Sequence, residues 1–263
     1  MRAGFFQMEP ILGEGPNNAL KARKMIEGAG DFDLMVLPEL ANSGYNFKDK
    51  DEAMELGEDI DSSHFVDILR KLCETKNCHI ISGFNERENN QIFNSSLLIG
   101  KDGVVGKYRK IHLFQNEKDF FTPGDKQPEI YKIGDWNVGM LICFDWAFPE
   151  IWRILALKGA DLVAHPSNLV IKGGGHNAAP IHAKTNSYYV ITSNRIGKEK
   201  DLEFTGASRI CGCDGEILAE ASADKEEIRI LKLDLAKARD KKITPKNDLL
   251  KDRRPDLYHG LLD

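Results

Sequence analysis

The chain has 263 residues, 41% of them hydrophobic and 29% charged, which is typical of a globular protein with room for one large core. Its formal net charge of −5 excludes the basic field that nucleic-acid binding requires. No run approaches ~18 consecutive apolar residues, and the N-terminus lacks the pattern of a signal peptide, so we expect no membrane partner.

The first predicted elements alternate helix and strand. The segment "NNALKARKMIEGAG" predicts a helix that glycine ends, and "FDLMVLPEL" follows with an unbroken apolar run from Leu34 to Leu37. Such a run is typical of a strand buried on both faces. The next helix is predicted near "DSSHFVDILRKLCETK", where apolar residues recur at helical spacing: Phe65, Ile68, Leu69, Leu72 and Cys73.

Strands and a hairpin follow in the middle of the chain. "HIISGF" predicts a strand, and "SSLLIGKDGVVGKYRK" predicts a hairpin that turns at Asp102-Gly103. "WNVGMLICF" predicts another strand. "PEIWRILALKG" predicts a helix, because proline lies in its first turn and glycine follows its end.

The last third repeats both patterns. "DLVAHPSN" and "YYVITSN" predict strands separated by a helix around "NAAPIHAKTNS", and the "GGGH" at 173–176 predicts a short flexible loop. "ASRICGCDGEILAEAS" predicts a second hairpin, again with Asp-Gly at its turn. Units of strand, helix and strand thus coexist with hairpins, which predicts mixed sheets with helical layers outside them.

We expect residues 1–263 to form a single domain, because the sequence shows neither a linker nor an internal repeat. From about Lys241 onward the chain becomes polar, basic and proline-bearing. Residues 241–263 are therefore expected to form a C-terminal tail on the surface.

Three residues capable of chemistry stand where predicted strands end. Glu39 follows "VLP", Lys110 ends the hairpin strand, and Cys143 ends "GMLIC". Ligands of α/β sheets bind beyond the carboxyl ends of strands, so these side chains could meet in one pocket. There, the carboxylate could take the proton of the thiol, and the ammonium and the backbone N–H of Phe144 could stabilise an oxyanion.

Taken singly, each of these residues has a plainer interpretation. An isolated cysteine in an apolar strand is more often part of a core, and a glutamate after a strand is usually solvated. Lys110 also lies in a cluster with Lys107 and Arg109, which would normally be a wet surface. The specificity of the signal lies in the order and the flanking sequences of all three.

Those flanking sequences resemble the nitrilase superfamily of carbon–nitrogen hydrolases, in particular its small archaeal and bacterial nitrilase-like amidases. The resemblance rests on "LPEL", "GKYRKIHLF", "FFTPGD", "GMLICFDWAFPE", "ALKGADLVAHPSN" and "KNDLLKDRRPDLY". It implies an α/β fold, a four-layer αββα sandwich of two mixed sheets flanked by helices. It also implies a homodimer or a higher homo-oligomer, with the tail at the dimer interface.

The resemblance further implies the roles of individual residues. Glu39, Lys110 and Cys143 fall on the catalytic positions of the family, and Glu117 in "FQNEKDFFTPGD" falls on a second glutamate that orients the lysine or the substrate. The plainer interpretation of Glu117 is a carboxylate on a surface loop. No cofactor and no metal are implied.

The activity implied is a thiol hydrolase that cleaves a small amide to a carboxylic acid and ammonia through a thioester on Cys143. A nitrile would react through a thioimidate, and an N-carbamoyl amine is another substrate, so the sequence leaves these three open. A degenerate member that acts as a binding or regulatory module is the non-enzymatic alternative. The presence of all the expected catalytic side chains argues against it.

Four residues near the strand ends are candidates for binding the substrate: Tyr45, Phe144, Trp146 and Asn168. Phe47 could also wall the pocket, which would favour a small and fairly apolar acyl group. No arginine stands out as a clamp for a substrate carboxylate, although Arg195 in "TSNRIG" is one option.

The sequence also contains residues for two other kinds of site, a Cys–His hydrolase and a metal centre. A Cys–His hydrolase would use His112 or His165 as its base. A metal site is disfavoured, because Cys211 and Cys213 lack a second pair, and His176 and His182, six residues apart, fit no common ligand spacing. The five cysteines form no paired framework, which predicts reduced thiols and a cytoplasmic protein.

Overall fold

The computed structural model describes residues 1–261, and every helix in that range is too short or too polar to cross a membrane. In chain order the strands are β1 (Arg2–Gln7), β2 (Leu34–Val36), β3 (His79–Glu88), β4 (Gln91–Gly100), β5 (Gly103–Arg109), β6 (Ile130–Ile133), β7 (Trp136–Met140), β8 (Leu162–Ser167), β9 (Tyr189–Asn194), β10 (Lys198–Glu199), β11 (Leu202–Glu203), β12 (Arg209–Cys211), β13 (Ile217–Glu220), β14 (Glu227–Lys232), β15 (Lys242–Thr244) and β16 (Asn247–Asp248). The helices are α1 (Gly15–Glu27), α2 (Lys50–Glu55), α3 (His64–Lys76), α4 (Glu117–Phe120), α5 (Pro149–Leu157), α6 (Gly174–Asn186) and α7 (Leu235–Arg239).

The strands form two six-stranded mixed sheets and two small hairpins. The first large sheet has the order β14-β1-β2-β3-β4-β5, and the second has the order β13-β12-β9-β8-β7-β6. In the first sheet β1, β2 and β3 are parallel, and in the second β7, β8 and β9 are parallel. The remaining neighbours are antiparallel, so the predicted mixed sheets are confirmed.

Alternate residues of the first sheet enter two different cores. Leu34 and Val36 face the core that the two sheets share, whereas Met35 and Leu37 face the core beneath the helices. Successive side chains of a strand point to opposite faces, so burial on both faces requires the unbroken apolar run read from the sequence. The shared core holds the sheets together and brings their strand ends close to one another.

Helices cover the outer face of each sheet and complete the four layers. α1 and α3 pack together on the first sheet, and α5 and α6 pack on the second. The predicted stripe of α3 is buried as expected, and Ser63 caps this helix by accepting the N–H of Val66.

The glycine run at 173–176 is not the predicted loop. Gly173 lies at φ +81°, and α6 begins at the next residue. A methyl group on Gly174 would lie 2.9 Å from the Trp146 ring, and one on Gly175 would lie 2.8 Å from Leu169. The run therefore allows the first turn of α6 to approach these side chains closely, which composition alone does not reveal.

The C-terminal tail lies on the surface. It forms the β15–β16 hairpin and two short 3-10 turns, and Ile243 and Leu257 are among its exposed apolar residues. The two last residues of the predicted tail, 262 and 263, lie outside the described residues. Because both sheets share one core, we propose that the chain is a single domain.

Candidate active site

Cys143 lies in a turn, not at the end of a regular strand. The sequence predicted a strand through Cys143, but β7 ends at Met140 and a 3-10 turn covers Cys143–Ala147. Cys143 adopts φ +39°, a left-handed conformation that residues other than glycine rarely take. Its thiol is buried. Such conformations cluster at functional sites.

Glu39 follows β2 and presents one free oxygen. Its Oε1 accepts from Lys110 Nζ at 2.7 Å and from Asn94 Nδ2 at 2.7 Å. Its Oε2 is buried and has no hydrogen-bond partner in the described part of the chain. One oxygen therefore fixes the side chain, and the other is free to take a proton.

Lys110 lies between two buried carboxylates. Its Nζ donates to Glu39 Oε1 at 2.7 Å and to Glu117 Oε1 at 2.8 Å. Burial alone would lower the pKa of Lys110, but Glu117 and Glu39 raise it above its ordinary value, so the ammonium is charged. The wet-surface interpretation is wrong for Lys110, which is only 1% exposed, whereas its neighbour Arg109 pairs with Glu86.

Glu117 opens the short helix α4 and is buried, so its interpretation as a surface carboxylate is wrong. Its Oε1 accepts from Lys110 and from the Tyr45 hydroxyl at 2.7 Å, and its Oε2 accepts the N–H of Phe114 at 3.1 Å. Burial raises the pKa of Glu117, an effect that Lys110 opposes and the Glu39 carboxylate reinforces. Both oxygens are occupied, in contrast to those of Glu39.

The pKa of the Cys143 thiol lies well above its ordinary value. Burial is the main cause and the Glu39 carboxylate adds to it, while Lys110 partly opposes them. The sequence alone does not determine whether Glu39 or Cys143 holds the proton at rest. The structure favours a neutral thiol at rest, which needs a base before it can attack.

A narrow cleft opens beside the thiol. It is lined by Phe114, Cys143, Phe144, Trp146, Asn168, Leu169, Val170 and Ile171. Both side-chain amide atoms of Asn168 are buried without a hydrogen-bond partner among the described residues. Buried amides are normally paired, so this group has the capacity to bind a ligand. Three of the predicted substrate-binding residues thus line the cleft, and the fourth, Tyr45, contacts Glu117 instead.

The family model for carbon–nitrogen hydrolases matches residues 2–243. The chain belongs to the carbon–nitrogen hydrolase family. The predicted membership of the nitrilase superfamily is confirmed, and this protein is a carbon–nitrogen hydrolase enzyme.

Individual relatives agree on the family and differ in substrate. This hydrolase is 40% identical over 260 residues to a nitrilase from Pyrococcus abyssi, covering 98% of this chain and 99% of the relative. It is 33% identical over 235 residues to an (R)-stereoselective amidase from Pseudomonas sp., covering 86% and 81%. A solved carbon–nitrogen hydrolase from Helicobacter pylori has the same fold, with a TM-score of 0.91, 28% identity and coverage of 100% and 98%. The αββα prediction is therefore confirmed.

Two residues that the sequence offered for the pocket of the hydrolase lie elsewhere. Phe47 packs against Phe121 in a separate apolar cluster. Arg195 is fully buried and donates to Glu199 Oε1 at 2.5 Å and to the carbonyl of Pro10 at 2.7 Å. Its guanidinium is engaged, so it is not free to clamp a substrate carboxylate.

Neither histidine of the Cys–His alternative pairs with the thiol in the described chain. His165 Nε2 donates to the carbonyl of Cys143 at 2.9 Å, and His112 Nδ1 contacts Asp145 Oδ1 at 2.7 Å. Burial lowers the pKa of His165 to about 4, so its ring is neutral. Within residues 1–261 no cluster of three or more His, Cys, Asp or Glu side chains could hold a metal ion.

Sequence reasoning missed several neighbours of the site. Asn94 fixes Glu39 from the middle of β4, where a run of three polar residues, 94–96, between apolar ones was an available signal. Asp145 was visible in "CFDW" but has no motif of its own. Phe114 and the segment 169–171 line the cleft, and only the tertiary structure brings them there.

Proposed function

We propose that this hydrolase converts a small uncharged amide to a carboxylic acid and ammonia through a thioester on Cys143. The observation that supports this most directly is the free Oε2 of Glu39, in a buried cluster with a neutral thiol and a charged Lys110. A carboxylate held by one oxygen is suited to carry protons with the other.

In the proposed mechanism Glu39 takes the proton of Cys143, and the thiolate attacks the amide carbonyl. Lys110 and the N–H of Phe144 stabilise the oxyanion that forms. Glu39 then returns the proton to the leaving nitrogen, and the carbon–nitrogen bond breaks to release ammonia and leave the thioester. Glu39 next activates water, which attacks the thioester, and the acid leaves as the thiol is restored.

Glu117 would act through Lys110 in this scheme. It holds Nζ at 2.8 Å while its other oxygen binds the backbone, so the ammonium has a fixed direction. A fixed donor needs no reorganisation when negative charge develops, and one such donor is typically worth ~3–4 kcal/mol of barrier.

The unpaired groups favour an amide over a nitrile. Glu39 Oε2 and Asn168 Oδ1 are buried acceptors without a donor within residues 1–261. The NH₂ group of an amide supplies two donors, whereas a nitrile supplies none and would leave these acceptors unpaired. Sites built to bind a substrate N–H or O–H discriminate strongly against analogues that lack it.

The cleft also favours an uncharged acyl group. Its lining consists of aromatic and aliphatic side chains, the thiol and the Asn168 amide, and none of them carries a charge. A charged substrate would lose hydration there without gaining a partner. This argues for simple amides over N-carbamoyl amines that carry a charged group.

The test measures ammonia release from amides, nitriles and N-carbamoyl amines that share one acyl group, with and without an added charge. We expect the neutral amide to give the highest kcat/KM, with Cys143→Ala inactive and an acyl adduct detectable on Cys143 by mass spectrometry. Cys211→Ala, a buried cysteine in β12, is the matched control and should retain turnover. Release that survives Cys143→Ala, or no release from any compound, would refute the proposal.

A further inference from the structure

A buried carboxylate outside the proposed chemistry joins the two segments that carry the ammonium and the thiol. Asp145 is fully buried, and its Oδ2 accepts from the Tyr108 hydroxyl at 2.9 Å. Its Oδ1 contacts His112 Nδ1 at 2.7 Å. Tyr108 and His112 lie two residues before and two residues after Lys110, so the carboxylate holds that segment on both sides of the ammonium.

Asp145 lies two residues after Cys143 and is also hydrogen-bonded to residues near it in the chain. Its Oδ2 also accepts the N–H of Ile142 at 2.8 Å, and its backbone carbonyl accepts from Trp152 Nε1 at 2.9 Å. The Ile142 contact places the carboxylate on one side of Cys143, and His165 binds the Cys143 carbonyl. These contacts surround the residue at φ +39°, a conformation that persists only where its surroundings enforce it.

The environment of Asp145 requires an acceptor at Oδ2. Tyr108 and Ile142 supply two donors to Oδ2, and the His112 ring, which stacks on Phe148 at 3.7 Å between centroids, faces Oδ1. An asparagine of the same shape would have to direct its NH₂ group at one of these partners. It would replace the carboxylate acceptor by an amide and so weaken the link without leaving a cavity.

We propose that Asp145 is a positioning residue that holds the Cys143 turn and the Lys110 segment in register for attack and oxyanion stabilisation. It acts through these two groups and does not touch the substrate. This inference rests on the proposed function for its effect on turnover, but its effect on the reactivity of the thiol does not depend on turnover.

The test compares Asp145→Asn with Asp161→Asn. Asp161 is equally buried and accepts the N–H of Asn137 at 2.8 Å, but it precedes β8 at the end opposite Asn168. We expect kcat per titrated Cys143 to fall about 100-fold in Asp145→Asn with KM little changed, since small displacements of reacting groups have effects of that size. Asp161→Asn should lose stability and keep its kcat.

Two further measurements separate positioning from general damage. Tyr108→Phe, which keeps the carboxylate and removes one donor, should lower kcat in the same direction by a smaller factor. The pH dependence of iodoacetamide alkylation of Cys143 should shift in Asp145→Asn and stay unchanged in Asp161→Asn, because only the first displaces the thiol relative to Lys110 and Glu39.

The inference is overturned if folded Asp145→Asn keeps kcat and its alkylation profile within twofold of the unmodified protein, or if Asp161→Asn changes both equally. If the unmodified protein releases no ammonia, the proposed function fails, and the alkylation profiles still decide whether Asp145 positions the thiol.

Discussion

At the scale of single residues, two glutamates beside one lysine differ in the number of their partners. Glu117 has both oxygens occupied, whereas Glu39 Oε2 has no hydrogen-bond partner among the residues that the structure describes. A free oxygen can exchange a proton without breaking an existing hydrogen bond, so the two carboxylates are suited to different tasks. A glutamine at position 39 could keep Oε1 with its hydrogen bonds from Lys110 and Asn94, and it would replace only Oε2.

Glu39→Gln should therefore separate turnover from thiol reactivity. Turnover should fall by roughly 10²–10⁴, the usual contribution of a general base. The pH at which alkylation of Cys143 by iodoacetamide reaches half its maximal rate should fall, because the Glu39 carboxylate helps to raise the pKa of the thiol. Rates measured between neutral pH and pH about 10 would test both effects.

Lys110→Met is the matched opposite case. Lys110 lowers the pKa of the Cys143 thiol, so its loss should slow alkylation at the same pH while turnover also falls. If the pH dependence of Cys143 alkylation shifted in the same direction in Glu39→Gln and Lys110→Met, this account of the cluster would be wrong.

At the scale of elements, a glycine of β3 lets the Glu39 segment approach the sheet. The N–H of Gly83 donates to the carbonyl of Pro38 at 3.0 Å, and its carbonyl accepts the N–H of Ala41 at 3.2 Å. A methyl group on Gly83 would lie 2.3 Å from Glu39 Cα and 2.5 Å from Leu40 N. Backbone atoms cannot swing aside, so the absence of a side chain on β3 places the candidate base.

Gly83→Ala should lower both stability and activity. We expect about 1–3 kcal/mol less free energy of unfolding, the usual cost of overpacking, and at least a tenfold loss of kcat as Glu39 is displaced. Urea unfolding and ammonia release would measure the two effects.

Gly100→Ala, at the end of β4, is the control. A methyl group there would approach the His79 ring at 3.3 Å, a side chain that can adjust. Activity should be kept. A Gly83→Ala protein with unchanged kcat would show that the close approach does not determine the position of Glu39.

At the scale of the whole molecule, the surface of the second sheet's helices carries exposed apolar side chains. Leu157 ends α5, Ile181 lies on α6, and Leu257 lies in the tail. The Lys241 ammonium donates to the carbonyl of Asn186 at 3.2 Å and to that of Ser187 at 2.6 Å, so the start of the tail lies against the end of α6. We propose that a second copy of the chain covers this surface and that the tail contributes to the interface.

Ile181→Glu should then weaken the dimer, because Ile181 is 60% exposed in the single chain and a buried charge would replace an apolar contact. Light scattering after size-exclusion chromatography, over a range of protein concentrations, would detect the change. Leu20→Glu, an exposed position on α1 over the other sheet, should leave the assembly unchanged. An unmodified chain that is monomeric at every concentration would rule out the dimer.

Local patterns in the sequence were sufficient for most of the elements. The stripe of α3, the apolar run of β2 and the Asp-Gly turns predicted their own segments because these signals act between residues close in the chain. The resemblance to a family added the arrangement of the sheets, which periodicity alone does not determine.

The state of the candidate site was decided by the tertiary structure. It buries Lys110 against two carboxylates, leaves Glu39 Oε2 free and raises the pKa of the Cys143 thiol. It also turns the chain at Cys143 and sets Asp145 between the two segments. Charge state and hydrogen bonding depend on desolvation and on neighbours that include residues distant in the chain, such as Glu39, which lies 71 positions from Lys110.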